Sequence, residues 1–228
     1  MKTLSKYLNE KLVIFPSQVD EKSSIFPSQV DEKLVIFPSQ VDEKLVINKD
    51  YKSPYTCAPT SWLGLRKIIN DRYDKLGPGT KNNSIDFNDI DVSNMDSFRD
   101  SRSYNGLFEN TKFEYIDVSY WDVSNVKDMS FMFSYCFRLK SVGDLSKWNM
   151  SKVEDMFHMF YGCKQLISVG DLSDWNVSKI INMSDMFSSC YHLKSVGELS
   201  KWDVSKVNYM SNMFKESGIT NIPRWYRT

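Results

Sequence analysis

Cysteine, histidine and carboxylate side chains are the groups in this chain with chemistry to offer, and their spacing decides which chemistry. Four cysteines and two histidines are present. Cys136, Cys163 and Cys190 recur at one constant spacing, with Cys57 separate from them. No C-x-x-C occurs, and His158 and His192 occupy different places in the same repeating frame, so zinc spacing is absent. Stacked cysteines could form disulfides, but a column of reduced, buried thiols acting as small hydrophobes is the better reading. Carboxylates and amides keep register as well: Asp117, Asp144, Asp171 and Glu198 form one set, Asp122, Asn149, Asn176 and Asp203 another. Stacked oxygens can hold Ca²⁺, yet the D-x-D-x-D-G spacing is missing, and Asp or Asn at fixed turn positions commonly hydrogen-bonds the local backbone. There is no G-x-S-x-G, no glycine-rich phosphate loop and no H-E-x-x-H. The chain therefore reads as a non-enzyme with no catalytic residue, no metal and no cofactor.

The frame that positions these groups is a strict repeat. Trp121, Trp148, Trp175 and Trp202 are 27 apart, and Met-x-x-Met-Phe recurs at Met129, Met156, Met183 and Met210. The columns Leu139/Leu166/Leu193 and Val142/Val169/Val196 complete the apolar set. Identity in every column means that each residue stacks on its counterpart, and one unit alone cannot bury its apolar face. The spacing predicts an α/β repeat solenoid of about five coils over residues 86–228. The Leu-x-x-Val segment is read as a short parallel strand and Val126–Cys136 as a short helix or 3₁₀ turn. Both ends degrade: Ser217 replaces the cysteine in the last coil, and an extra stretch around Arg99–Asn105 interrupts the first.

Ahead of the repeat, residues 49–85 read as a helical cap or linker. Pro59-Thr60-Ser61 starts a helix, Trp62, Leu65, Ile68, Ile69 and Leu76 give its apolar face, and Gly77-Pro78-Gly79 stops it. Residues 1–48 hold a different period, EKLVIFPSQVD at Glu10–Asp20 recurring near-identically from Glu21 and Glu32. Each cassette reads as a β-prone run closed by a proline turn, serving as tether or docking segment.

Composition narrows the function classes. Lys plus Arg and Asp plus Glu are 29 each, a net charge of zero, which argues against a nucleic-acid partner. Apolar runs stop at about four residues, so the sequence offers no membrane span. The start MKTLSKYLNEKLVI has no apolar h-region, and no signal peptide is expected from it.

The unit WDVSNVKDMSFMFSYCFRLKSVGDLSKW resembles the repeat of BspA-like leucine-rich-repeat proteins, also described as a Mycoplasma-type surface-protein repeat. The matching columns are W-[DN]-[VM]-S, M-x-x-MF, C-x-x-L-x-x-V and D-L-S, over about Phe87 to Ile222. The resemblance implies a right-handed leucine-rich-repeat-like solenoid displayed on a bacterial surface and used in adhesion. The absence of a signal peptide leaves a cytoplasmic or virion-associated location open beside it. The opening residues, with LVINKD at Leu45–Asp50, also resemble the starts of some proteins of gut Bacteroidetes and their phages.

In a solenoid the constant columns build the core and the variable ones meet solvent or a partner. Aromatic and histidine side chains recur in the variable columns at Tyr120, Phe131, Tyr135, Phe137, His158, Tyr161, Tyr191 and Tyr209. These are the candidate partner-binding residues, because exposed aromatics are enriched at binding hot spots. The expected function is recognition of a protein or glycan ligand. The alternative is a structural or assembly protein, phage-encoded, that forms a homo-oligomer through residues 10–47.

Overall fold

The computed structural model describes residues 57–226; the N-terminal cassettes lie outside the described residues. The helix at the start of this body, α1, runs Trp62–Leu76. Ser61 caps it, its hydroxyl accepting the Gly64 N–H at 3.2 Å. At the other end Gly77 takes φ +77°, a left-handed conformation that suits a glycine, and donates its N–H back to the Tyr73 carbonyl. Leu65 and Ile69 are fully buried. The indole N–H of Trp62 reaches the Phe98 carbonyl at 3.1 Å, and Arg66 donates to the carbonyls of Gly106, Leu107 and Glu109. The edge of the Tyr73 ring meets Phe113. The helix is thereby pinned across the first unit of the repeat.

Beyond α1, successive repeat units are hydrogen-bonded neighbours. Parallel bridges join Asp128 to Asp155, Asp155 to Asn182 and Asn182 to Tyr209, and on another side Tyr115 to Ser141 and Ser141 to Ser168. The Phe column stacks from Phe108 through Phe133, Phe160 and Phe187 to Phe214, with centroids 5.2–6.0 Å apart. The tryptophans do more than fill space. Trp121, Trp148, Trp175, Trp202 and Trp225 each donate the indole N–H, at 2.8–3.1 Å, to a carbonyl of the preceding unit. Trp225 follows Trp202 sooner than the strict period would place it, so it closes a shortened last unit that the sequence spacing passes over.

Local structure departs from the expectation of one strand and one helix per coil. Among the described residues, regular strand is confined to β1, Ile85–Asp86, and β2, Ile116–Asp117, which pair in parallel; of the Leu-x-x-Val segments, Leu139–Val142 and Leu166–Val169 make isolated bridges through Ser141 and Ser168, and Leu193–Val196 makes none. Val126–Cys136 is a series of tight turns with no helix. The physical reason lies in where the N–H groups go. Met129, Phe131, Phe133 and Tyr135 donate to the carbonyls of Asp155, Phe157, Met159 and Tyr161 in the next unit, at 2.7–2.9 Å. A helix would spend those donors on carbonyls of its own preceding turn. To aim alternate donors outward, the chain takes φ +60° at Phe131 and +57° at Tyr135, which ends any helix. The short helical pieces occur elsewhere, as 3₁₀ turns at Leu145–Lys147 and Leu199–Lys201, capped by Asp144 and Glu198.

Glycine is required where units approach most closely. Gly143, Gly170 and Gly197 have φ of +87° to +89°, and a β-carbon on Gly170 would sit 2.0 Å from Asp144 Oδ1 of the unit before. The tryptophan ladder is open to direct test. Trp175→Phe removes the 2.9 Å bond to the buried Leu145 carbonyl while keeping an aromatic ring. Chemical denaturation should show a loss of about 1–3 kcal/mol, the range for stranding a buried acceptor.

Candidate binding face

The polar columns hold the turns in shape. Asp117, Asp144, Asp171 and Glu198 each accept the N–H two residues on, as do Asp122, Asn149, Asn176 and Asp203. A third column, Asp128, Asp155 and Asn182, repeats the motif. Their oxygens are directed at the local backbone, and no group of three or more metal-binding side chains occurs among the described residues. The cysteine thiols serve the stack too. Cys136, Cys163 and Cys190 donate to the carbonyls of Phe108, Phe133 and Phe160 at 3.0–3.1 Å. Burial pushes the Cys190 thiol up to about 12, so it stays protonated and unreactive at neutral pH.

Five of the eight candidate binding residues come together on one surface strip. Phe131, Tyr135 and Phe137 of one unit meet His158 and Tyr161 of the next, and Phe157 joins them. The chain of ring contacts runs Phe137 to Tyr135 at 5.7 Å, Tyr135 to Tyr161 at 5.1 Å and Tyr161 to His158 at 4.4 Å. It continues from His158 to Phe157 at 3.8 Å and to Phe131 at 5.2 Å. Phe131 and Phe157 meet edge to face, as do Tyr135 and Tyr161. Tyr135 and Phe137 are 39% and 44% exposed. Phe157 carries a signal that a column comparison alone can find: its column otherwise reads Ser130, Ser184 and Ser211.

The other three lie apart from this strip. Tyr120 precedes Trp121, and its backbone N–H donates to the side-chain oxygen of Asn88. Tyr191 shares a column with Phe137 and Lys164, and the Lys164 ammonium lies 5.2 Å over the Phe137 ring. Tyr209 occupies the bridge position of the last full repeat, paired with Asn182.

The backbone under the strip singles it out. The column of Phe131, His158, Asp185 and Asn212 has φ of +55° to +60° throughout. The column of Tyr135, Ser189 and Glu216 is left-handed as well, with Gly162 at +72°. Asn, Asp and Gly enter this region most easily, whereas bulky side chains there carry strain of about 1–3 kcal/mol. The strip places Phe131, His158 and Tyr135 in columns that otherwise hold Asp185, Asn212, Gly162, Ser189 and Glu216. His158 adds a buried Nδ1 with no hydrogen-bond partner among the described residues.

The family model described as "Mycoplasma protein of unknown function, DUF285" matches residues 80–195 and again 140–225. No curated protein and no solved structure matches the chain. Among the described residues no helix is long and apolar enough to cross a membrane.

Packing gives the strip a pH signature. Burial against the neighbouring rings lowers the His158 pKa, and the Asp185 carboxylate 3.6 Å away only partly offsets this. The folded state then binds the proton less well than the unfolded chain, whose imidazole titrates near ~6.5. The contribution is complete above that value and is lost as pH falls through it towards the folded pKa. Thermal unfolding followed from about pH 7.5 to 5 should show a falling midpoint, with a smaller fall in His158→Asn, which suits the left-handed backbone.

Proposed function

The chain belongs to the DUF285 family, and we propose that it is a non-enzymatic recognition module that binds a protein partner through the aromatic strip. In this reading the body is a right-handed, leucine-rich-repeat-like solenoid of the BspA-like type. The parallel bridges between successive units and the family match over residues 80–225 support that architecture.

One observation carries the functional reading. Bulky rings occupy left-handed backbone positions at Phe131, Tyr135 and His158, where the same two columns otherwise hold Gly162, Asp185, Ser189, Asn212 and Glu216, none of them a ring. A lone surface aromatic needs no explanation. Six rings in a continuous chain of contacts, three of them on left-handed backbone, form a surface feature that the repeat itself does not call for. Local strain of this kind clusters at sites where a partner exploits it. The edge-to-face contacts turn neighbouring ring planes 87–90° from one another, a relief that suits apolar side chains of a protein better than the flat face of a sugar. Tyrosine is also among the residues that dominate interface energetics.

The test separates binding from folding. The labelled full chain is applied to arrays of purified proteins and of glycans, beside Tyr135→Gly and a Tyr135→Gly/Tyr161→Ala double variant. Gly162 holds the same column one unit on, at φ +72°, and shows that the position accepts glycine. Tyr135→Gly should therefore keep its unfolding midpoint within about 2–4 °C, while binding to the protein array falls about tenfold or more. Protein binding unchanged in the double variant overturns the proposal, as does no protein binding by the native chain.

A further inference from the structure

The first unit contains an insertion. Phe98 and Leu107 stand where Met129 and Met132 stand in the next unit, and the stretch between them is longer by six. The equivalence is visible in the backbone: Phe98 donates to Asp128 as Met129 does to Asp155, and Phe108 donates to Met132 as Phe133 does to Met159. The added residues form a hairpin closed by an antiparallel bridge between Arg99 and Gly106. Asp100 ties it internally, accepting from the N–H groups of Arg102, Ser103 and Tyr104 and from the Ser103 hydroxyl. Between this hairpin and the start of α1 lies a cleft of about 770 Å³, within the size range of small-molecule sites.

We propose that this cleft binds a neutral saccharide, as a site separate from the aromatic strip. Two aromatic side chains line it. Trp62 is fixed by its bond to the Phe98 carbonyl, and Tyr104 sits near the hairpin tip, 60% exposed. The Arg99 guanidinium lies 4.6 Å from the centroid of the Tyr104 ring, which leaves the rest of that ring to solvent. Tyr104 takes φ +61°, so here again a large ring is held on strained backbone. The charges are matched internally: Arg99 with Asp128 at 3.7 Å and Arg102 with Asp100 at 4.0 Å. Asp96 remains as a carboxylate with no ion pair among the described residues. A wall with two cations already neutralised and one carboxylate to spare repels phosphates and polyanions. It offers instead an acceptor for paired hydroxyls, donors from serine and threonine, and an aromatic face for the C–H surface of a sugar ring. The hairpin's internal bonds and the anchoring of α1 by Arg66 hold these groups in place before any ligand arrives, which lowers the ordering cost of binding.

Maltotriose, cellotriose and chitotriose are titrated in turn into the full chain, with binding read from tryptophan fluorescence and from saturation transfer to the sugar protons. At least one should bind saturably. Tyr104→Ala should raise its Kd about tenfold or more, while Tyr104→Phe, which keeps the ring, should stay within about threefold of the native value. Tyr135→Gly on the strip should leave saccharide binding unchanged, so that a failure here is distinct from a failure of the protein-binding reading. Lack of binding by all three sugars, binding insensitive to Tyr104→Ala, or binding of heparin in preference to the sugars overturns the proposal.

Discussion

The structure depends on one interaction: alternate backbone N–H groups of each unit donate to carbonyls of the unit that follows. A turn segment whose donors leave it cannot be a helix, and a segment bonded to its neighbour at only a few points is scarcely a strand. The tight turns and the left-handed residues are consequences of that direction of bonding, and the bridges add N–H groups such as that of Glu154 that donate back to the preceding unit. Side chains then follow the backbone. Residues one period apart are held at stacking distance, so a phenylalanine lies over a phenylalanine and an indole N–H finds a carbonyl in the preceding unit. Core cysteines fit the same logic, since a thiol is small enough for the interior and still donates to the one carbonyl it faces.

The same constraint creates the places where function can be read. The repeat crosses left-handed backbone at two columns on the same side, and the inexpensive residues for that are Gly, Asn and Asp. Departures from that choice are informative because they act against the fold. Those that bring in a ring at Phe131, Tyr135 and His158 fall on two adjacent units and produce a continuous run of rings, while Asp185, Ser189, Asn212 and Glu216 beyond it carry no ring. A further departure, the hairpin after Arg99, occurs in the first unit, where α1 provides a second wall. Arg99 connects the two regions, its guanidinium lying over the Tyr104 ring on one side and the Phe131 ring on the other.

Charge plays a local part. The chain has no net charge to steer a partner from a distance. Many carboxylates of the described residues are engaged in turns, as at Asp144 and Asp171, or in pairs such as Glu114 with Lys140 at 2.8 Å.

The sequence by itself determined the period, the apolar columns and the interruption of the first unit, because a stacked repeat writes each contact as an identity one period further on. The extent of α1 was legible from Ser61 and Gly77, whose capping chemistry is local. The Asp and Asn columns were legible as turn residues for the same reason. Only the tertiary structure decided the local conformation of Val126–Cys136. The helical spacing of Val126, Met129, Met132 and Phe133 suits any segment that buries one face, and the outward donors are invisible until the neighbouring unit is present. It also decided which aromatics belong together. Tyr120, Tyr191 and Tyr209 share the variable character of Tyr135 and Tyr161, but ring contact depends on which columns adjoin across units, and the backbone geometry of the stacked turns sets that.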